Sequence, residues 1–163
     1  MRDRIATHTH HVRPSARQRR RSGNSVLELA LVMPILMAMA FGLVEFGQFM
    51  YVRHAFVSAA RDAMRVAVMS NATQAQVTSA LTNTLAQANV TYNSSWLTIT
   101  DLGPSQPGTV SDVAAVPMGD EMRLTLSTTY SALPNAVRPL SSTTGVGVSA
   151  GATIAGVCTM VKE

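Results

Sequence analysis

The chain has 163 residues, of which 47% are hydrophobic and only 13% charged, with a formal net charge of +4 and one cysteine. This length allows one small domain, and a single cysteine excludes an intramolecular disulfide framework. An average soluble protein is about 25% charged, so this composition favours a membrane segment. The net positive charge comes from residues 1–22, which carry seven arginines and one acid, while the remainder has a slight excess of acids.

The basic leader, residues 1–23, has no apolar periodicity, and its like charges repel one another. We therefore expect it to be disordered or removed. An arginine-rich run can bind nucleic acid, but arginines beside an apolar run are retained on the cytoplasmic side of a membrane. The apolar run that follows favours this topological role, and no nucleic-acid partner is expected.

The main apolar element follows the leader. Leu29 to Val44 contains no charged side chain, and with its apolar flanks the run exceeds the roughly 20 helical residues that cross a bilayer core. Glu28 and Glu45 border it, so each is expected to lie near an interface or to be paired. We predict a single transmembrane helix over residues 24–52.

Four residues with small or compact side chains recur at every fourth position of this helix and therefore share one face. Such a row allows a second helix to approach closely, and close packing drives helix association in lipid. We predict a helix-packing face formed by Ala30, Pro34, Ala38 and Gly42.

The helical pattern continues beyond the apolar run and becomes amphipathic over residues 53–69. One side carries apolar residues, and another carries Arg61 and Arg65 one turn apart. A helix from residue 25 to 69 would be about 67 Å long at 1.5 Å per residue, twice a bilayer core. We therefore expect residues 53–69 to protrude from the membrane.

Residues 70–163 read as a small outer domain. Thr73 is a candidate N-cap for a second helix that ends near Asn89. Alternating apolar and polar residues then predict strands within 96–103, 119–133 and 146–161, the last broken or bulged at Gly151. The predicted fold class is α+β, with a long N-terminal helix, a second short helix and a small antiparallel sheet of three to four strands.

The sequence offers no constellation for catalysis. It lacks a glycine-rich phosphate loop, a nucleophile–histidine–acid set outside the leader and a metal-ligand spacing in the body. We predict no enzymatic activity, no cofactor and no small-molecule substrate. Four acids are scattered over predicted loops and strand edges: Asp101, Asp112, Asp120 and Glu121. Acids at such positions are usually solvated, and a calcium site is the alternative.

The residues from Gly23 to Glu28 resemble the processing site of type IV prepilins. In that family a membrane-embedded aspartyl peptidase cuts after the glycine, and the fifth residue of the mature chain is a glutamate. The resemblance implies cleavage between Gly23 and Asn24 by a prepilin peptidase, and it implies that the apolar segment is kept as a helix.

A longer stretch, Gly23 to Val68, is similar to the TadE-like family of pilus assembly proteins. The resemblance rests on Gly23, Glu28, Pro34, Glu45, Phe46, Gly47, Arg61 and Arg65. It implies a minor pseudopilin of the tight-adherence (Flp) pilus machinery, which supports surface attachment and secretion. The implied partners are the lipid bilayer and other pilin-like or Tad machinery membrane proteins. The implied location is the inner membrane, with the N-terminus cytoplasmic and the C-terminal domain outside.

The two glutamates are the candidate charge-pairing residues for assembly. An unpaired carboxylate in lipid costs about 2.5 kcal/mol or more, so Glu28 is expected to pair with the new α-amino group of Asn24, in its own or a neighbouring subunit. The alternative is that Glu28 is hydrated at the cytoplasmic interface. Glu45 is expected near the outer interface, and the sequence identifies no partner for it.

Two other functions stay open at this point. The triplet Ala38 to Ala40 fits an ordinary signal-peptidase site, which would release a secreted β-rich binding domain starting at Phe41. The second is a single-pass anchor for an adhesin domain that never joins a pilus. The mature N-terminal residue, which would be Asn24, Met1 or Phe41, separates the secreted domain from the pseudopilin. Co-purification with pilus proteins separates the adhesin anchor from the pseudopilin.

Overall fold

The computed structural model describes residues 21–105, 107–134, 136, 139 and 141–163; most of the basic leader, residues 1–20, lies outside the described residues. The helices and strands, in chain order, are α1 (Arg21–Ala67), α2 (Gln74–Gln87), β1 (Leu97–Asp101), β2 (Gly108–Val110), β3 (Glu121–Thr129), α3 (Ser141–Thr144) and β4 (Thr153–Val161). This arrangement of a long apolar helix, a second helix and a four-stranded antiparallel sheet confirms the predicted α+β class.

The chain divides into two units, residues 1–38 and residues 39–163. In its described part, the first unit is helical, and its side chains from Asn24 onward are exposed. The second unit contains the rest of α1 and every other helix and strand. All the buried residues of the described chain belong to this second unit.

The later half of α1 is the central element of the second unit. Its buried face recurs at helical spacing, as predicted, and consists of Val52, Phe56, Ala59, Ala60, Ala63, Met64 and Ala67. Arg61 and Arg65 are exposed on the same helix. Because four of the buried residues are alanines, other elements can approach the helix backbone closely, and one strand does so.

Helix α2 begins and ends where the sequence predicts. Thr73 caps it: the Thr73 hydroxyl accepts from the Gln76 amide, and the Gln76 side chain accepts from the Thr73 amide. This reciprocal capping box satisfies two amides that the first turn leaves unpaired. Val77, Leu81 and Leu85 form its buried face.

The sheet is antiparallel in the order β2-β1-β3-β4. β3 is its central long strand, and Met122, Leu124 and Leu126 all point inward, as their alternation predicts. β4 begins two residues after Gly151, so the stretch 146–152, which the sequence assigned to that strand, is a loop instead. The three-residue edge strand β2 had no counterpart in the sequence prediction, because it falls in a segment rich in proline and glycine.

The sheet and α1 meet at Gly156 in β4. A Cβ atom on Gly156 would overlap the carbonyl oxygen of Phe56 and would lie 2.6 Å from the Phe56 carbonyl carbon and 2.9 Å from the Val57 amide nitrogen. The strand therefore crosses the helix in direct backbone contact. The Phe56 ring packs beside Trp96, with ring centroids 5.7 Å apart, so this crossing lies within the main core.

Candidate functional site

The exposed apolar part of α1 is the first candidate functional surface. Residues 24–44 are exposed throughout, except for the half-buried Gly42. Large apolar side chains are among them, for example Leu31 at 76% and Ile35 at 68% exposure. Soluble monomers rarely expose an apolar surface of this extent. Among the described residues, α1 is the one helix long and apolar enough to cross a membrane, and it fits a single-pass anchor.

Glu28 is already partnered within this helix. The side-chain amide of Asn24 donates to Glu28 Oε1 at 3.0 Å, one helical turn away. This bond places the side chain of Asn24 against the Glu28 carboxylate. Of the four residues predicted to form a packing face on this helix, Ala30, Pro34 and Ala38 are exposed and Gly42 is half-buried.

Glu45 lies at the point where exposure ends, and its side chain is fully buried. Its Oε2 accepts from the Ser141 amide and its Oε1 from the Val148 amide, both at 3.0 Å. We call this arrangement the Glu45 clasp. Hydrogen bonds from backbone N–H groups to a carboxylate are charge-assisted and therefore stronger than neutral ones. The clasp fixes the loop 141–148 to α1.

The loop has the backbone conformation that the clasp needs. Gly147 has φ 134°, and a Cβ there would lie 2.8 Å from Glu45 Oε1. Gly145 has φ 71°. Glycine adopts such positive φ values without steric cost, so the two glycines allow the loop to turn its amides toward the carboxylate.

The remaining motif residues are on the surface. Phe46 is 53% exposed, and a Cβ on Gly47 would meet no atom within 4 Å. Arg61 and Arg65 are also exposed and lie away from the clasp residues along the helix. The structure therefore brings Glu45 together with the C-terminal loop and leaves these four residues open to solvent or to partners.

The described residues contain no group of three or more histidine, cysteine or acidic side chains that could hold a metal ion.

Partial burial raises the pKa of Tyr92 above its ordinary value of 10.0, so its phenol stays protonated near neutral pH and acts as a hydrogen-bonding group. A cavity of about 200 Å³ lies beside α1, between Val52, Val90 and Leu133, and its lining is mainly apolar.

Sequence reasoning singled out Glu45 but not its partners. The Ser141 and Val148 amides lie 96 and 103 residues away along the chain. The closely spaced glycines at 145 and 147 were the available signal, because such spacing is typical of a tight loop rather than a strand.

Comparison with known proteins gives one match. Residues 23–65 match the family described as TadE-like protein, and this stretch covers the exposed apolar helix, the clasp glutamate and both arginines. No curated protein and no solved structure matches the chain. Residues 70–163 therefore have no counterpart among these comparisons.

Proposed function

We propose that this chain, through its TadE-like segment at residues 23–65, is a single-pass membrane pseudopilin-like component of tight-adherence pilus assembly. The observation that carries the proposal is the coincidence of the family match with an exposed apolar helix that continues directly into a domain core. Such a helix can be held in lipid at one end and bear a folded domain at the other. The protein acts by helix–helix association and not by catalysis.

The proposed topology follows from the charges and from the exposure. The arginines of residues 1–22 stay in the cytoplasm, and residues 24–44 face lipid. At about 1.5 Å per residue this segment matches a bilayer core of about 30 Å. The Glu45 clasp then lies at the outer interface, and the protruding part of α1 with residues 70–163 lies outside the cytoplasm. The half-exposed Tyr51 suits the interface, where tyrosine is enriched.

The proposed assembly step centres on Glu28. Prepilin peptidase would cut between Gly23 and Asn24, and the new α-amino group would arise one turn from the carboxylate that Asn24 already contacts. Pairing of this amino group with Glu28, within one subunit or between neighbours, offsets the cost of a carboxylate in lipid. The exposed row of Ala30, Pro34 and Ala38 would receive the neighbouring helix.

The mature N-terminus tests the proposal directly. The intact protein should be extracted from isolated inner membranes with detergent and its mass measured. We expect a chain that starts at Asn24 and resists alkaline extraction from the membrane. A start at Met1 would contradict the processing step while keeping the anchor. A start at Phe41 would contradict the whole proposal, and such a product could still fold, since every buried core residue follows Phe41.

A substitution at Glu28 tests the assembly step. Glu28→Gln should leave membrane insertion and the unfolding temperature unchanged, because the side chain is exposed and amide and carboxyl have similar size. It should abolish co-purification with the pilus machinery and surface attachment. The matched control is Glu121→Gln, an exposed acid on β3, which should assemble normally. Normal assembly of Glu28→Gln would show that charge pairing at this position is not required.

A further inference from the structure

Two buried aspartates lie together at one end of the sheet. Asp101, the last residue of β1, is 1% exposed, and Asp120, just before β3, is 8% exposed. Asp101 is directly opposite Met122 in the β1–β3 register. Asp120 directly precedes β3 and is two residues before Met122, so the two aspartates lie at the same end of the β1–β3 pair.

Gly103 shows how closely the two carboxyl groups approach. Its amide donates to Asp101 Oδ1 at 2.8 Å, while a Cβ on the same residue would overlap the Asp120 carboxyl group. The two carboxyl groups thus flank a single residue and lie within about 8 Å of each other by ordinary bond lengths. Only glycine leaves room for this arrangement.

One oxygen of each carboxyl group has no hydrogen-bond partner among the described residues. Asp101 Oδ2 and Asp120 Oδ2 are both buried, and neither has a hydrogen-bond partner in the part of the chain that the structure describes. A buried polar atom without a partner costs about 1–3 kcal/mol, and more when it is charged. Two carboxylates this close also repel each other. A cation between them would remove both costs.

The neighbouring lysine does not fill this role. Lys162 is 5% exposed, and its amide donates to the Asp120 carbonyl oxygen at 3.0 Å, which places it beside Asp120. Its ammonium, however, donates to the Val113 and Val116 carbonyl oxygens, at 2.7 Å each. The Lys162 ammonium therefore binds the segment 113–116. The Oδ2 atoms of Asp101 and Asp120 remain without a hydrogen bond in the described part of the chain.

The geometry points to a divalent-cation site, for Ca²⁺, in which Asp101 Oδ2 and Asp120 Oδ2 are the protein's charged ligands. Carboxylate oxygens are the ligands that Ca²⁺ prefers, and Ca²⁺ accepts an irregular set completed by carbonyl oxygens or water. With two carboxylates we expect a dissociation constant of about 10⁻⁴–10⁻³ M, as in extracellular modules. A bound ion would join the end of β1 to the start of β3.

The test uses the full chain in detergent, stripped of metal with a chelator and then titrated with CaCl₂ or MgCl₂ to about 10 mM. We expect a saturable rise of a few degrees in the unfolding temperature with Ca²⁺, and calorimetric binding of one ion. Asp120→Asn should lower the Ca²⁺ affinity at least tenfold. Without Ca²⁺ it should unfold no lower than the unaltered chain, because it removes one of two repelling charges.

Two further variants complete the test. Asp101→Asn retains an oxygen for the Gly103 amide and should lose the Ca²⁺ response as well. The control, Asp112→Asn, changes an exposed acid that binds the Ala114 amide and should keep the full response. The site is refuted if neither cation raises the unfolding temperature of the unaltered chain, or if both aspartate variants respond like it. Neither readout depends on pilus assembly, so this result is independent of the proposed function.

Discussion

Replacing Gly156 by alanine should lower the free energy of unfolding by about 3 kcal/mol, and replacing it by valine should prevent the helix-and-sheet domain, residues 39–163, from folding. The added Cβ would meet the backbone of Phe56 and Val57, and backbone inside a helix cannot move aside as a flexible side chain can. Either β4 or the whole helix must shift, and each shift opens the core around Phe56 and Trp96. Chemical unfolding in detergent, followed by circular dichroism, measures the loss.

A matched glycine in the same part of the chain provides the control. A Cβ on Gly151 would meet one side-chain oxygen, of Ser149, at 3.9 Å, which is ordinary contact. Gly151→Ala should therefore change the free energy of unfolding by less than about 0.5 kcal/mol. If both alanine variants unfolded at the same denaturant concentration, the direct crossing of β4 over α1 would be wrong.

The Gly156 prediction matters for function because the same helix carries the family match and the core. Residues 23–65 contain both the exposed apolar segment and the helical face that packs on the sheet. A Gly156→Val chain should still insert into the membrane, since residues 24–44 are unchanged. It should reach the membrane without a folded helix-and-sheet domain, and added protease should cut residues 70–163.

Replacing Glu45 by alanine should cost about 3 kcal/mol, because it leaves the half-buried Ser141 and Val148 amides without this acceptor, at about 1–3 kcal/mol each. Glu45→Gln keeps one acceptor oxygen and should cost roughly half as much. The control is Glu121→Ala, which removes an exposed acid and should be nearly neutral.

Hydrogen exchange distinguishes loss of the clasp from general destabilisation. In the unaltered chain the Ser141 and Val148 amides should be protected by their bonds to the carboxylate. In Glu45→Ala these two amides should exchange rapidly, while amides of β3 such as Leu124 keep most of their protection. Equal loss across the domain, or no loss at 141 and 148, would show that the clasp does not hold the loop.

The clasp gives Glu45 a structural role. Val44 is 56% exposed, and the next residue is fully buried, so Glu45 marks the boundary between the proposed lipid-facing helix and the domain. A carboxylate at this boundary would be costly if it were left unpaired. Bonded to two backbone amides, it instead ties a loop from the C-terminal third of the chain to the base of the anchor.

Local pattern was sufficient for the two long helices and for strand β3, but it missed β2. The charge-free run from Leu29 to Val44 predicted a transmembrane helix, and the structure has a helix with an exposed apolar surface there. The amphipathic spacing over residues 53–69 predicted one apolar side of the helix, on which Phe56 and Met64 are buried. Thr73 predicted the start of α2. In β3, alternation predicted that Leu124 points inward. These features follow from neighbours a few residues apart, because helix and strand periodicities fix which side chains share a face.

The sequence alone therefore determined that the chain has a long apolar helix, a second helix and an antiparallel sheet, and that residues 23–65 are similar to the TadE-like family. Only the tertiary structure decided which distant groups meet. Glu45 accepts from amides about a hundred residues away, Gly156 is required by the helix that crosses it, and Asp101 and Asp120 both approach Gly103. No local periodicity encodes such contacts, since they depend on how the chain closes upon itself in three dimensions.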